Sequence, residues 1–375
     1  MKLARFARRL AATQLLAIAA SVVALAAPGG NAVAQQAPND SILFTQSHYD
    51  STGAADATAL YRVKPSGDHA TPMTPLTVGN FYVGGHWSLS GRTVIYEHYT
   101  GGNILTRSQI YRIDRQGGSI QRITSGPSRH QRPVWGPGPW IAYIDGGIDF
   151  NQCLTLVRPT GTENHVLFCA PRSDAELSDP RWSTDGKKIY VEAYYYGQHG
   201  LEPPSHSDVY EVNITTGLVT LVHARTAYES SEILALSPDA THAIYGDDGG
   251  GLHLVDFATD SETIVPGSSP VYSKDGTHIA FTRYLPAGGV KQFGAIFIMR
   301  ADGSNPHRVI DKVVGDDAYR AATWSNDGSH ILLNRTRYYV QDGQGYDHLS
   351  MHMLDVKAHA VTKVADGTAV AWLQL

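Results

Sequence analysis

The sequence predicts an all-β protein: a β-propeller of four-stranded antiparallel blades, seven in number with six as the alternative. Three observations predict it. A motif made of an aromatic residue, a serine, a tight turn and an apolar run recurs as "WSLSGRTVIY" from Trp87, "RWSTDGKKIY" from Arg181, "YSKDGTHIAF" from Tyr272 and "WSNDGSHILL" from Trp324. Anchor residues at the matching positions, Trp87, Trp135, Trp182, Leu236, Tyr272, Trp324 and Trp372, are separated by 48, 47, 54, 36, 52 and 48 residues. Periods of this size signal a repeat architecture. Finally, sustained helical periodicity is missing after the first 34 residues, and short β-rich runs separated by Gly, Asp and Pro take its place.

The chain starts with Lys2, Arg5, Arg8 and Arg9, followed by an apolar run from Leu15 to Ala27 and an A-x-A signal at Ala32-Val33-Ala34. This pattern reads as a secretory signal peptide over residues 1–34, cleaved after Ala34, with the propeller filling 35–375. The mature protein is therefore expected in the periplasm or secreted. Loss of those four cations takes the formal net charge from −5 to −9. A surface so acidic argues against nucleic acid, whose phosphates need a basic face. No later segment is long and apolar enough to span a bilayer as a helix.

The first strands of the mature chain are "SILFTQ", "ALYRVKP" and "HATPMT". Only three residues follow Trp372, so "AVAWLQL" supplies one inner strand and no more. Joined to the three N-terminal strands it completes a composite blade, which closes the ring and hides sheet edges. A complete unit runs from Ser269 to Ile310. Asp275-Gly276 turns the first strand into "THIAFTRY", Pro286 and Gly288-Gly289 lead into "GAIFIMR", and Asp302-Gly303 turns into "HRVI". Five of the six tryptophans fall on anchors, Trp140 being the exception, which makes them structural pegs rather than a ligand platform. The two cysteines, Cys153 and Cys169, each stand eight residues from Gly161 in "RPTGTENH". A hairpin centred there sets them opposite each other, and an exported protein meets an oxidising compartment, so a disulfide is expected.

"W-S-x-D-G" with an apolar strand, then "I-Y/F-x-x-x-x-D-G" and a short last strand, resembles the TolB-like propeller repeat. The clearest copies are Trp182 to Tyr190, Tyr272 to Asn305 and Trp324 to Leu333. The resemblance covers the mature chain but not the N-terminal domain of TolB, and it implies an envelope binding or scaffolding module. The unit at Trp135 departs from it with Gly136-Pro137-Gly138, and the unit at Leu236 with Ala240 in place of Gly. The TolB-like propeller is usually counted as six-bladed.

Catalytic signatures are missing: no G-x-S-x-G, H-E-x-x-H or G-x-x-x-x-G-K-[ST] occurs. The hydrolase domain that often follows such propellers in peptidases has no room after Leu375. The alternative is a propeller enzyme, a polysaccharide lyase or hydrolase using a divalent metal. Oligogalacturonate lyases, for example, use a seven-bladed propeller with a histidine-bound metal. His348 and His352 in "DHLSMHML" share strand parity and are the metal candidates, although a site needs three or four ligands. "DGQGYD" at Asp342 to Asp347 lacks a full calcium-ligand set. Without an enzyme reading no cofactor is expected. Tyr194 to Tyr196, Tyr284 and Tyr338-Tyr339 mark loops able to grip a sugar or peptide.

The segments leading into the inner strands ring the channel mouth. They are "NFYVGGH", "SRHQRP", "YESSE" and "GDDAYR". Arg129, His130, Arg132, Glu229, Glu232, Asp316, Asp317 and Arg320 are therefore the candidate binding residues, for an envelope protein, peptide or saccharide. The protein is expected to act as a monomer.

Overall fold

A computed structural model of the chain describes residues 41–52, 54–100, 108–146, 152–172, 175–195, 206–226, 233–247, 249–286, 292–310, 317–341 and 344–373. The expected signal peptide and its cleavage site lie outside these residues. All elements among the described residues are strands, and none is a helix able to cross a membrane.

The termini meet as the sequence predicts. Strands β1 (Ser41–Tyr49), β2 (Ala55–Val63) and β3 (Thr71–Pro72) form a sheet with the last strand, β29 (Thr368–Leu373), in the order β29-β1-β2-β3. Ile42 pairs with Trp372, and Ser41 with Leu373. Around the ring follow β4 (Asn80–Trp87), β5 (Thr93–Thr100), β6 (Gln109–Asp114) and β7 (Ile120–Arg122), then β8 (His130–Trp135), β9 (Ile141–Asp145), β10 (Cys153–Val157) and β11 (His165–Cys169). The next sheet has its inner strand broken into β12 (Ala175–Leu177) and β13 (Arg181–Trp182), both paired to β14 (Lys188–Tyr195), with β15 (His206–Asn213) and β16 (Val219–Thr226) outside. Then come β17 (Ile233–Leu236), β18 (His242–Gly246), β19 (Gly251–Asp256) and β20 (Glu262–Pro266).

The last sheet holds eight strands: β21 (Ser268–Tyr272), β22 (His278–Pro286), β23 (Gln292–Arg300), β24 (His307–Arg308), β25 (Asp317–Trp324), β26 (His330–Gln341), β27 (Gln344–Asp355) and β28 (Ala360–Asp366). The hydrogen-bonded sheets therefore number six, where separate blades predict seven. The reason is local. Two antiparallel runs, β21 to β24 and β25 to β28, are joined by one parallel pair, Gly294 with Ala318. A Cβ on Gly294 would stand 3.3 Å from the Ala318 Cα, so only glycine lets these backbones approach so closely.

The core lies between neighbouring sheets, which is why the strands read as apolar runs rather than clean alternations. Ile144 and Leu154 pack against Leu177, Trp182 and Val191 of the next sheet. Ile42, Phe44 and Trp372 pack against Leu332 and Met353 across the closure. The tryptophans act as pegs. The Trp324 indole donates to the Val271 carbonyl at 3.0 Å, and the Trp182 indole to that of Val134 at 3.4 Å, each reaching the preceding inner strand. Trp135 is less buried and packs at the edge of its cluster.

The recurrent serine and aspartate explain themselves in the turns. Ser183, Ser237, Ser273 and Ser325 each donate to the aspartate two residues on, at 2.6 to 2.7 Å. Each hydroxyl also accepts a backbone N–H from the start of the next strand, as from His330 at 2.8 Å. The turn is thus stapled by side chains on both sides. The disulfide between Cys153 and Cys169 is formed, across the register that pairs them in β10 and β11.

Candidate functional site

Inner strands of a propeller crowd the central axis, and here they are bulged where they crowd. The register breaks between Val83 and His86 in β4, Gln131 and Val134 in β8, Ile233 and Ala235 in β17, Ser268 and Val271 in β21, and Ala321 and Thr323 in β25. A bulge puts an extra residue on one strand and re-aims its side chains. In β8 the extra residue lies at Arg132-Pro133, and Arg132 takes a φ of 57°. That is a left-handed conformation a non-glycine residue adopts only at a cost.

The bulges in β4 and β8 open onto a solvent-connected cavity bounded by inner-strand segments of four sheets. Val83, Gly84 and His86 line it from β4, and Glu97 from β5. Arg129, Gln131 and Arg132 enter from the segment of β8, Asp179, Arg181 and Trp182 from the β12–β13 segment, and Leu236 from β17.

The cavity's charges are mostly paired across sheets. Arg132 Nη2 lies 2.9 Å from Glu176 Oε1 and its Nε 3.5 Å from Asp179, while Nη1 donates to the Leu177 carbonyl at 2.6 Å. Arg132 therefore straps β8 to the neighbouring sheet as well as lining the mouth. Arg129 stands 3.7 Å from Glu97, whose carboxyl burial pushes up despite that guanidinium. Arg181 lines the same space with neither an ion pair nor a side-chain hydrogen bond to any described residue. His86 Nδ1 stands 3.0 Å from the Trp87 carbonyl, and burial, aided by the Lys274 charge, pulls the imidazole down to about 4. It is therefore neutral at pH 7; donation from Nδ1–H to that carbonyl leaves Nε2 as an acceptor.

Gln131 is the unusual member. It is 1% exposed, and neither its amide nitrogen nor its amide oxygen has a hydrogen-bond partner among the described residues. Buried polar atoms are nearly always paired, so an unpaired carboxamide lining a cavity marks a position built for something else.

Of the eight candidates read from sequence, the structure brings two together here, Arg129 and Arg132. His130 is the next residue along from Arg129 and points the other way, into the sheet. There it meets Gln109 Oε1 at 3.0 Å and Asp145 at 3.4 Å, and burial pulls its imidazole below the ordinary histidine value despite that carboxylate. Arg320 reaches the Tyr284 hydroxyl at 3.4 Å and does not line the cavity. Glu229, Glu232, Asp316 and the Asp317 side chain lie outside the described residues. Gln131, Arg181, His86, Glu97 and Asp179 were not singled out by sequence. Of these, Gln131 and His86 do stand in the quoted mouth segments "SRHQRP" and "NFYVGGH".

The metal candidates do not converge. His352 is buried, with Nε2 3.1 Å from the Ser350 hydroxyl, whereas His348 is exposed beside Asp366 at 3.2 Å. Among the described residues, no three His, Cys, Asp or Glu side chains gather as a metal site would require. Of the tyrosines, Tyr194 and Tyr195 are buried and Tyr195 stacks on His206, whereas Tyr284 and Tyr338 are exposed. The side chains of Tyr196 and Tyr339, and Asp342 of the "DGQGYD" segment, lie outside the described residues.

No protein-family model matches the chain, and no curated protein matches it by sequence. Solved structures do. An oligogalacturonate lyase from Vibrio parahaemolyticus superposes with a TM-score of 0.57 at 13% identity, covering 87% of this chain and 86% of its own. A prolyl endopeptidase superposes with a TM-score of 0.60 at 14% identity, covering 87% of this chain but 50% of the peptidase. A TolB from Acinetobacter baumannii superposes more loosely, with a TM-score of 0.46 at 15% identity over 88% and 82% of the two chains. At such identities the first two show a shared fold, the β-propeller, and nothing of function.

Proposed function

We propose that this chain is an exported, TolB-like propeller that acts as a binding module, with the central-channel mouth as its site. Counting the two runs of the eight-stranded sheet separately gives it seven blades. The supporting observation is the cavity itself. Four sheets contribute bulged or broken inner-strand segments to one space, and those segments carry two sequence-predicted arginines and a buried amide with no partner among the described residues. Rigid blades that hold polar groups around a concavity suit capture of an envelope protein, peptide or saccharide. The alternative, a metal-dependent polysaccharide lyase or hydrolase, rests on the likeness in fold to the Vibrio lyase and has no convergent ligand set behind it among the described residues.

Filling the mouth tests the reading. Gly84 lines the cavity, and a Cβ there would meet nothing within 4 Å, but its φ of 63° is left-handed, so a side chain there costs about 1–2 kcal/mol of backbone strain. Gly84→Trp is expected to block capture from an envelope extract while the protein still melts cooperatively. Capture by the blocked variant at the wild-type level would move the site to the exposed Tyr284 and Tyr338 loops. Arg132→Ala is a poorer probe than sequence suggests, because the straps to Glu176 and Asp179 make it destabilising as well.

A further inference from the structure

We propose that the mouth recognises a ligand that carries both a carboxylate and an amide, as in an acylated amino acid or the C-terminal residue of a peptide. This rests on the channel-mouth reading and deepens it.

Gln131 and Arg181 line the cavity with no side-chain hydrogen bond or ion pair to any described residue, and their chemistry differs. The Gln131 carboxamide is 1% exposed and presents a donor and an acceptor side by side, both without partners among the described residues. Its complement is a group that also offers one of each, and a peptide amide does so. A simple anion would satisfy the nitrogen and leave the oxygen unpaired. A cation would do the reverse. Arg181 is the second group: a guanidinium on the cavity wall with no carboxylate of its own among the described residues. Its fork geometry fits a carboxylate by two parallel hydrogen bonds. The neighbouring arginines are not equivalent, because Arg132 is held by Glu176 and Asp179, and Arg129 faces Glu97. The acidic groups in the wall are thus already occupied, leaving the unmatched positive charge at Arg181. Capture of a terminal carboxylate together with its adjacent amide is a recurring way to recognise chain ends.

The probes are N-acetylglycine, an acetylated tripeptide ending in a free carboxylate, the same tripeptide amidated at its C-terminus, and acetate. Each is titrated calorimetrically into the full chain. N-acetylglycine and the free-acid tripeptide are expected to bind. Arg181→Met and Gln131→Leu are each expected to weaken that binding by about tenfold or more, the loss of one good charged or buried hydrogen-bonded contact. Arg181→Lys should retain part of it, which separates lost charge from lost folding. Equal affinity for the two acids assigns the site to free acyl amino acids, and much tighter tripeptide binding assigns it to chain ends. The proposal is overturned if the amidated tripeptide or acetate binds as well as N-acetylglycine, if both variants bind like the wild type, or if neither acid binds at about 10 mM, the weak end of specific recognition. Failure here with capture still abolished by Gly84→Trp would leave the mouth as the site and remove only this ligand class.

Discussion

The unit at Trp324 and the unit at Trp135 are built on the same plan and differ at nearly every place the plan is enforced. The first keeps Trp-Ser-x-Asp-Gly. Its Ser325 staples Asp327 and the strand after it, its indole is bonded to the preceding inner strand, and Gly328 takes the positive φ of the turn. The second has Gly136-Pro137-Gly138 instead of the staple and a half-buried tryptophan. It adds a disulfide between its outer strands, a left-handed Arg132 and an unpaired Gln131. The conforming unit also holds a left-handed non-glycine residue, but it is His359 in an outer turn, whereas the departing one has Arg132 in the inner strand, next to a buried carboxamide with neither atom paired among the described residues. Proteins tolerate such conflicts mainly at functional sites, so the departure from the repeat itself directs attention to β8.

The largest test of the comparison is to remove the pegs. Trp324→Ala is expected to cost about 3–5 kcal/mol, since it empties a buried site and removes the indole hydrogen bond to the Val271 carbonyl. Trp135→Ala should cost roughly 1–2 kcal/mol, in keeping with its partial burial. Denaturant unfolding of the two variants reads the difference. Equal losses would mean that the departing unit is as tightly pegged as the other.

Next is the disulfide, which the departing unit has and the conforming one lacks. Cys153 and Cys169 are 16 residues apart, and a loop of that length contributes about 3 kcal/mol through the unfolded chain. The double serine variant should lose about that much, and reductant should lower the wild-type melting temperature but leave the variant's unchanged. A reductant-insensitive wild type would show that the bridge is not formed in solution.

Much of this comparison was legible in the sequence and part was not. The repeat spacing located the inner strands, because a four-stranded blade needs a nearly constant length of chain. The closure of β29 on β1 followed from the three residues left after Trp372, and the disulfide from the symmetry of its two cysteines about Gly161. The fusion of two blades at Gly294 was not legible, since it depends on a close backbone approach that no motif announces. The site was half legible. Choosing charged residues in the mouth segments found Arg129 and Arg132 but also took His130, which the strand's alternation turns inward, and Arg320, which is drawn to Tyr284. Gln131 was passed over because a glutamine in a loop is ordinary. Its importance comes from the fold, which buries it with neither amide atom paired among the described residues. Arg181 was hidden for the same reason, since only the fold shows that it lines the cavity with no ion-pair partner among the described residues.

A smaller effect separates the stapled turns in acid. The Ser325 hydroxyl, then the Ser329 backbone and side chain, hold the Asp327 carboxyl down to about 2. Its folded value lies below its unfolded one, so the unfolded chain takes up the proton first as pH falls. The contribution is therefore complete above about pH 4 and is lost progressively as pH falls towards 2. Ser325→Ala should cost about 1 kcal/mol at neutral pH and flatten that part of the acid limb. An unchanged slope between pH 4 and 2 would remove the staple from the list of stabilising features.

The smallest effect concerns the other departing unit, where Ala240 stands at the glycine position of the turn. It takes a φ of 57°, against 69° for Gly328 and 73° for Gly276. A left-handed alanine costs about 1–2 kcal/mol, so restoring glycine should help. Two terms oppose it. Glycine loses about 0.4–1 kcal/mol more backbone freedom on folding, and the buried Ala240 methyl, packed with Leu236 and Ala243, is worth about 0.8 kcal/mol. Ala240→Gly should therefore change stability by less than about 0.5 kcal/mol. The reciprocal change, Gly328→Ala, has no methyl to bury, because a Cβ there meets nothing within 4 Å. It retains the conformational penalty and should cost about 0.5–1 kcal/mol. Denaturant midpoints of the pair decide the matter. If Ala240→Gly stabilises by more than 1 kcal/mol, the methyl contributes nothing; if Gly328→Ala is neutral, the conforming turn does not need its glycine, and the alanine at position 240 marks no departure at all.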